Sequence, residues 1–161
     1  MFSVNEENYL ARQAVGAIIR YQESYILVHK VKIMESTNSP KDIKGEWDFV
    51  KGGLLPHENS KVEALFRELK EETGSIDYSI VKEYSEKLNF VLPREFQRTR
   101  FIHQETTMFL VEFNGNFSDL KPDDQEIDQV TIFSKEEVYS ALTHLESKKY
   151  FQQIVLEKEK T

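Results

Sequence analysis

The 161-residue sequence contains no cysteine. Disulfides, thiolate metal sites and cysteine nucleophiles are excluded, which leaves carboxylates, imidazoles, hydroxyls and backbone groups to carry any chemistry. Net positive charge is missing as well, with 21 Lys and Arg against 28 Asp and Glu. A formal net charge of −7 argues against general attraction to a DNA or RNA backbone or to an anionic membrane surface. No stretch approaches the roughly 20 apolar residues that span a bilayer, and the N-terminus carries acids where a secretory signal needs an apolar core. A cytoplasmic protein with no membrane and no DNA partner is the expectation. Low-complexity tracts, internal repeats and interdomain linkers are also missing. With 39% hydrophobic and 12% aromatic residues the chain is long enough for one sizeable core, so a single domain over residues 1–161 is expected.

Ala14 to Val31 holds two Val/Ile/Tyr-rich runs separated by the polar Tyr21-Gln22-Glu23-Ser24, the pattern of a hairpin. Met34 to Gly45 is polar, aperiodic and contains Pro40, and reads as an exposed mobile loop. Glu46 to Val50 resumes a short strand. Ile80 to Leu92 and Gln104 to Phe113 alternate as strands, and Asn114-Gly115 signals a tight turn after the second. Between them lies a basic loop with Arg94, Arg98 and Arg100. Val130 to Phe133 makes another strand, Ser134 with Glu137 has the form of a capping box, and Tyr150 to Leu156 falls in a terminal helix. This order predicts an α+β fold in which helices cover a mixed β-sheet.

Residues 51 to 76 stand out, with three of the six glycines, Arg67 and a run of carboxylates. Ser60 as N-cap, Glu63 completing its capping box and Gly74 as terminator predict a helix over residues 61–73. At about 100° per residue, Val62, Leu65, Phe66 and Leu69 share one face, while Glu68, Glu71 and Glu72 share another with the small Ala64. Glu68 and Glu72 repel each other at a spacing of four, and no lysine lies three or four residues from either. A divalent cation turns that repulsion into coordination. Gly52 and Gly53, lacking side chains, allow close backbone approach to a phosphate or a metal.

The stretch resembles the Nudix box, G-x5-E-x7-R-E-U-x-E-E-x-G-U with U a bulky aliphatic, matching at Gly53, Arg67, Glu68, Leu69, Glu71, Glu72 and Gly74. The resemblance implies an α/β/α sandwich and cleavage of a nucleoside diphosphate linked to another moiety, using Mg²⁺ or Mn²⁺ and an attacking water. By position, Glu68 and Glu72 are implied as main metal ligands, Glu71 as ligand or water-activating base, and the Gly53 carbonyl as a further ligand. Arg67 is implied to hold a catalytic carboxylate by a forked hydrogen bond. Glu126, outside the box, is the candidate for the acid that completes the site in several family members. Lys51 and Gly52, in the lead-in to the box, and Arg98 and Arg100 in the basic loop are the remaining substrate-binding candidates. Tyr84, Phe90, Phe96 and Phe101 are candidates for a base-stacking surface.

Two positions depart from the pattern. Asn59 stands where the box has its first glutamate. Either Glu58 substitutes by a small backbone shift, or the site runs with three box glutamates at reduced rate, or the protein binds a nucleotide without turning it over. Ser75 replaces the terminal aliphatic, for which Ile76 is expected to supply the buried contact. The Lys-Gly-Gly lead-in and the strand from Gln104 are similar to those of the branch acting on dinucleoside polyphosphates or the triphosphate end of RNA. The expectation is a pyrophosphohydrolase for a small nucleotide-type substrate or RNA 5′ end, with a nucleotide-sensing module as the alternative; a homodimer is compatible with the sequence.

Overall fold

The computed structural model describes residues 2–4, 10–34, 40–91 and 101–159. Its centre is a mixed sheet built from β1 (Phe2–Val4), β2 (Leu10–Tyr21), β3 (Ser24–Met34), β4 (Pro40–Asp48), β5 (Val50–Gly53), β6 (Tyr78–Val91), β7 (Phe101–Phe113) and β8 (Ile127–Ser134). The main path runs β4-β3-β2-β7-β6, with β1 and β5 also on β2 and β8 on β3. Only β2 and β7 run parallel among these pairs, from Leu10 opposite Phe101 to Arg20 opposite Glu112. Helix α1 (Lys61–Thr73) covers one face, while α2 (Lys135–Ala141), α3 (Leu145–Tyr150) and the π-helical turn Phe151–Leu156 cover the other; α4 (Glu157–Glu159) ends the described chain. The expected α/β/α sandwich with a mixed sheet is what forms.

Side-chain alternation along the strands explains the two cores. Val15, Ala17 and Ile19 of β2 pack with Leu65 and Leu69 of α1, whereas Ile18 faces Val138, Leu142 and Phe151. The β2–β3 hairpin falls where the sequence places it, with Tyr21 opposite Ser24.

Residues 40–45, expected as loop, are strand. They extend β4 against β3, with Lys32 opposite Asp42 and Met34 opposite Pro40. Alternation is weak there because backbone pairing, not a buried face, holds this part of the hairpin, and Pro40 sits at the first residue of an edge strand, where no ladder N–H is required. Residues 35–39 lie outside the described residues. β7 ends at Phe113, where Asn114-Gly115 signals a turn, and a loop with a 3₁₀ turn at Phe117–Asp119 leads on to β8. In the terminal segment Tyr150 to Leu156 is helical as expected, within a run that starts at Leu145. On β6, Glu83 and Lys87 stand opposite Phe109 and Thr107, so four steps of β6 span two of β7 and residues 84–86 bulge.

The linker between α2 and α3 is stitched to β4. Trp47 N–H donates to Thr143 Oγ1 at 2.9 Å, Thr143 N–H donates to the Trp47 carbonyl at 3.1 Å, and Ser147 Oγ donates to Asp48 at 3.1 Å. His144 Nε2 meets Glu46 Oε2 at 2.9 Å, and this hydrogen bond raises the imidazole pKa above its usual value against the opposing effect of burial. A folded pKa above the unfolded one near 6.5 contributes stability fully below that pH and loses it as pH rises through the folded value. Between pH 6 and 8 the protein is therefore expected to lose a few tenths of a kcal/mol that His144→Gln does not lose, the small size reflecting a half-exposed pair. Urea midpoints at both pH values check this, and identical pH slopes for the two proteins would count against it.

Candidate active site

Helix α1 forms over the expected residues. Ser60 Oγ accepts from Glu63 N–H at 3.1 Å, and Gly74 closes the helix in the left-handed region at φ 80°. The capping box is altered, because the Glu63 carboxylate accepts from Asn59 N–H at 3.0 Å and not from that of Ser60. Asn59 thus serves the cap with its backbone, and its side chain is exposed.

The buried face of α1 differs from the amphipathic expectation. Ala64, Leu65, Glu68, Leu69, Glu72 and Thr73 are buried, whereas Val62 is exposed. Ala64 lies fully inside the core. Ile76 is 63% exposed and does not replace the aliphatic missing at position 75; Ser75 Oγ instead accepts from Asp77 N–H.

Arg67 organises the acids. Its Nε donates to Glu58 Oε2 at 2.7 Å and its Nη2 to Glu58 Oε1 at 3.1 Å, a two-point fork on a buried carboxylate. Nη2 also donates to the Gly53 carbonyl at 2.8 Å, and Nη1 to Glu68 Oε1 at 2.5 Å and Glu71 Oε2 at 3.4 Å. Burial works against the Arg67 charge, but these carboxylates outweigh it and hold the pKa above the usual arginine value. Of the three accounts of Asn59, the first fits: Glu58 makes the contact. Counted from Gly52, Glu58 falls at the sixth position, and the departure reduces to one extra residue before Arg67. The sequence carried this signal in the double glycine, where either residue can start the count.

Around this fork the backbone is close-packed. A Cβ on Gly52 would run into the Glu68 carboxylate, and one on Gly53 into the Arg12 guanidinium. Glu72 is 1% exposed and its Oε1 has no hydrogen-bond partner. Burial pushes its pKa well up, Lys30 opposes this, and Glu68 adds to it. Glu71 is raised by burial and by Glu68 against the lowering effect of Arg67. Glu126 lies within electrostatic reach of Arg12, Lys30 and Glu71, so it belongs to the cluster.

Lys51 does not. Its Nζ pairs with buried Asp48 at 2.8 Å and sits 4.4 Å above the Phe90 ring. Tyr84 is a buried core residue, not a stacking surface. Arg94, Phe96, Arg98 and Arg100 lie outside the described residues, as does the Phe101 side chain. Sequence reasoning missed Arg12, Lys30 and Gln104, which no motif marks and which only strand pairing brings to the box.

The donor set suits a hard divalent cation. Glu72 offers an orphaned buried oxygen beside Glu68, and magnesium ordinarily takes one or two carboxylates together with water and substrate phosphates. Among the described residues no three acidic or imidazole side chains are gathered tightly enough to hold an ion unaided, and Arg67 engages Glu68 on one side.

A family model described as the NUDIX domain matches residues 10–154. The RNA pyrophosphohydrolase of Campylobacter jejuni subsp. doylei is 30% identical over 159 residues, 97% of each chain. A NUDIX hydrolase from Nitrosomonas europaea has a similar structure, with a TM-score of 0.66 at 19% identity over 92% of this chain and 90% of that one. The Ap4A hydrolase of C. elegans, solved as a binary complex, gives 0.67 at 14% identity over 94% and 100%. These two share the fold. The chain belongs to the NUDIX domain family. The expectation of a Nudix hydrolase acting on phosphoanhydride bonds is thereby met, and hydrolases of this family generally use divalent cations. No helix among the described residues is long and apolar enough to cross a membrane.

Proposed function

We propose that this protein is a Mg²⁺- or Mn²⁺-dependent pyrophosphohydrolase of the cytoplasm that acts on the 5′-triphosphate end of RNA, with dinucleoside polyphosphates as the second substrate class. The observation that carries this reading is the contrast between two arginines at Gly53. Arg67 is consumed by Glu58, Glu68 and the Gly53 carbonyl. Arg12, on the other side of the same glycine, is exposed and makes its hydrogen bond to the neutral Gln104. A guanidinium with its charge unspent beside a carboxylate cluster suits a polyphosphate. The relative from C. jejuni, matched over nearly its whole length, supports RNA as the substrate.

Glu68 and Glu72 would hold the divalent cation, which would supply charge neutralisation at the phosphoryl oxygens. Arg12 orients the polyphosphate from the opposite side. Glu71, the more open of the acids at 43% side-chain exposure, takes the proton from the attacking water. Arg67 positions Glu68 and is itself held by Glu58. The alternative of a catalytically impaired sensing module drew on Asn59 alone, and the Glu58 fork removes that motive.

Mass spectrometry of products from 5′-triphosphate RNA, dinucleoside tetraphosphate and nucleoside triphosphates tests the reading. The expected result is 5′-monophosphate RNA, lost on chelation, with Arg12→Gln reducing kcat/KM by about 10²-fold. Binding without product in every case would overturn it.

A further inference from the structure

We propose that Gln104 is a positioning residue for Arg12, and that its neutrality is what leaves the Arg12 charge available to the substrate. The inference rests on the reading of Arg12 as the polyphosphate-facing cation. Arg12 and Gln104 are paired in register across the parallel β2–β7 ladder, so their side chains leave the same sheet face about 5 Å apart. Arg12 Nη1 donates to Gln104 Oε1 at 2.7 Å. The carboxamide is 4% exposed, and its Nε2 faces the buried Thr106 Oγ1 at 3.5 Å. Its orientation follows from chemistry: a guanidinium only donates, so the oxygen must face it.

A guanidinium has five N–H donors in a rigid fork. Among the described residues Gln104 is the acceptor for one of the Arg12 donors, and the others have no protein acceptor. Burial works against the Arg12 charge, while Glu68 and Glu126 favour it and Arg67 opposes it. Gly53 admits the guanidinium where any side chain would displace it. Arg12 is thus aimed by one neutral acceptor and one missing side chain. A carboxylate at position 104 would aim it equally well, through a stronger, charge-assisted bond. It would also neutralise the guanidinium and compete with the incoming phosphate. A purely structural role for residue 104 is therefore met by glutamate, and a role in presenting charge is not.

The test uses the full chain with Mg²⁺ and imidodiphosphate, a non-hydrolysable pyrophosphate, by titration calorimetry, alongside steady-state turnover of 5′-triphosphate RNA. Gln104→Glu is expected to keep the wild-type melting temperature, weaken imidodiphosphate binding about tenfold and raise KM similarly, with kcat within about twofold. Gln104→Leu is expected to weaken binding as well, because Arg12 loses its aim. Wild-type affinity in the folded Gln104→Glu variant overturns the proposal, as does stronger binding. If wild-type protein binds imidodiphosphate in this variant order but turns over no RNA, the function reading fails and the role of Gln104 stands. If wild-type protein turns over RNA and Gln104→Glu leaves KM unchanged, the role of Gln104 fails alone.

Discussion

Glu72→Gln is expected to lower turnover on the order of 10³-fold while raising the melting temperature by about 2–4 °C. The two effects share one origin. The wild-type side chain is a carboxylate with 1% exposure whose Oε1 has no partner. Transferring such a group from water is unfavourable, and Gln removes the charge at nearly the same volume. The folded pKa is raised above the unfolded one, so the group is tolerated below the ordinary carboxylate pKa and stability is lost as pH rises through the folded value. A neutral amide removes that loss at pH 7. Lys30 keeps Asp48, Glu126 and Glu68 as compensating charges, so the gain should be on the order of 1 kcal/mol. The amide is also a poor ligand for a hard cation, hence the collapse in rate. Thermal unfolding without metal and kcat with Mg²⁺ measure the two sides; retained turnover in Glu72→Gln would sink the assignment of this residue.

Glu58→Gln should be the most damaging single change outside α1. It cuts a buried fork and leaves the Arg67 guanidinium, whose side chain is 22% exposed, with one strong carboxylate partner fewer. Removal of one member of such a pair destabilises by about 3 kcal/mol. Glu68 loses its fixed neighbour as well, so kcat/KM should fall on the order of 10²-fold. Asn59→Glu, by contrast, should bring no gain in rate, because the position points to solvent and the Arg67 fork is already filled. Urea unfolding of the first variant and kinetics of both decide the matter. A tenfold faster Asn59→Glu enzyme would show that Glu58 does not fill the role.

Much of this was legible because the signals are local. Ser60, Gly74 and the 3.6-residue period fix α1, and Arg67, Glu68, Glu71, Glu72 and Gly53 do converge. The failures have physical causes. Amphipathicity assumes that charge faces water, yet Glu68 and Glu72 are buried, Glu68 against Gly52 of β5. Arg12 and Gln104 are 92 residues apart and meet through the β2–β7 ladder, a pairing that no short motif encodes. Lys51, a natural phosphate ligand by its place before the glycines, is held instead by the buried carboxylate of Asp48, a pairing the glycine motif does not announce.

The bulge on β6 has a consequence for how the molecule meets its own copies. Residues 84–86 swing out of step with β7, and the C-terminal helices take hold of them: Tyr150 Oη donates to the Glu86 carbonyl at 2.7 Å and Lys158 pairs with the Glu86 side chain at 3.1 Å. The rim of the sheet on that side is interrupted in its middle, so it offers no continuous template for an incoming strand. The runaway edge-to-edge stacking that threatens a long open strand is checked here by a contact made with the far end of the chain, and loosening Tyr150 or Lys158 would expose that rim to aggregation before it disturbed the acids of α1.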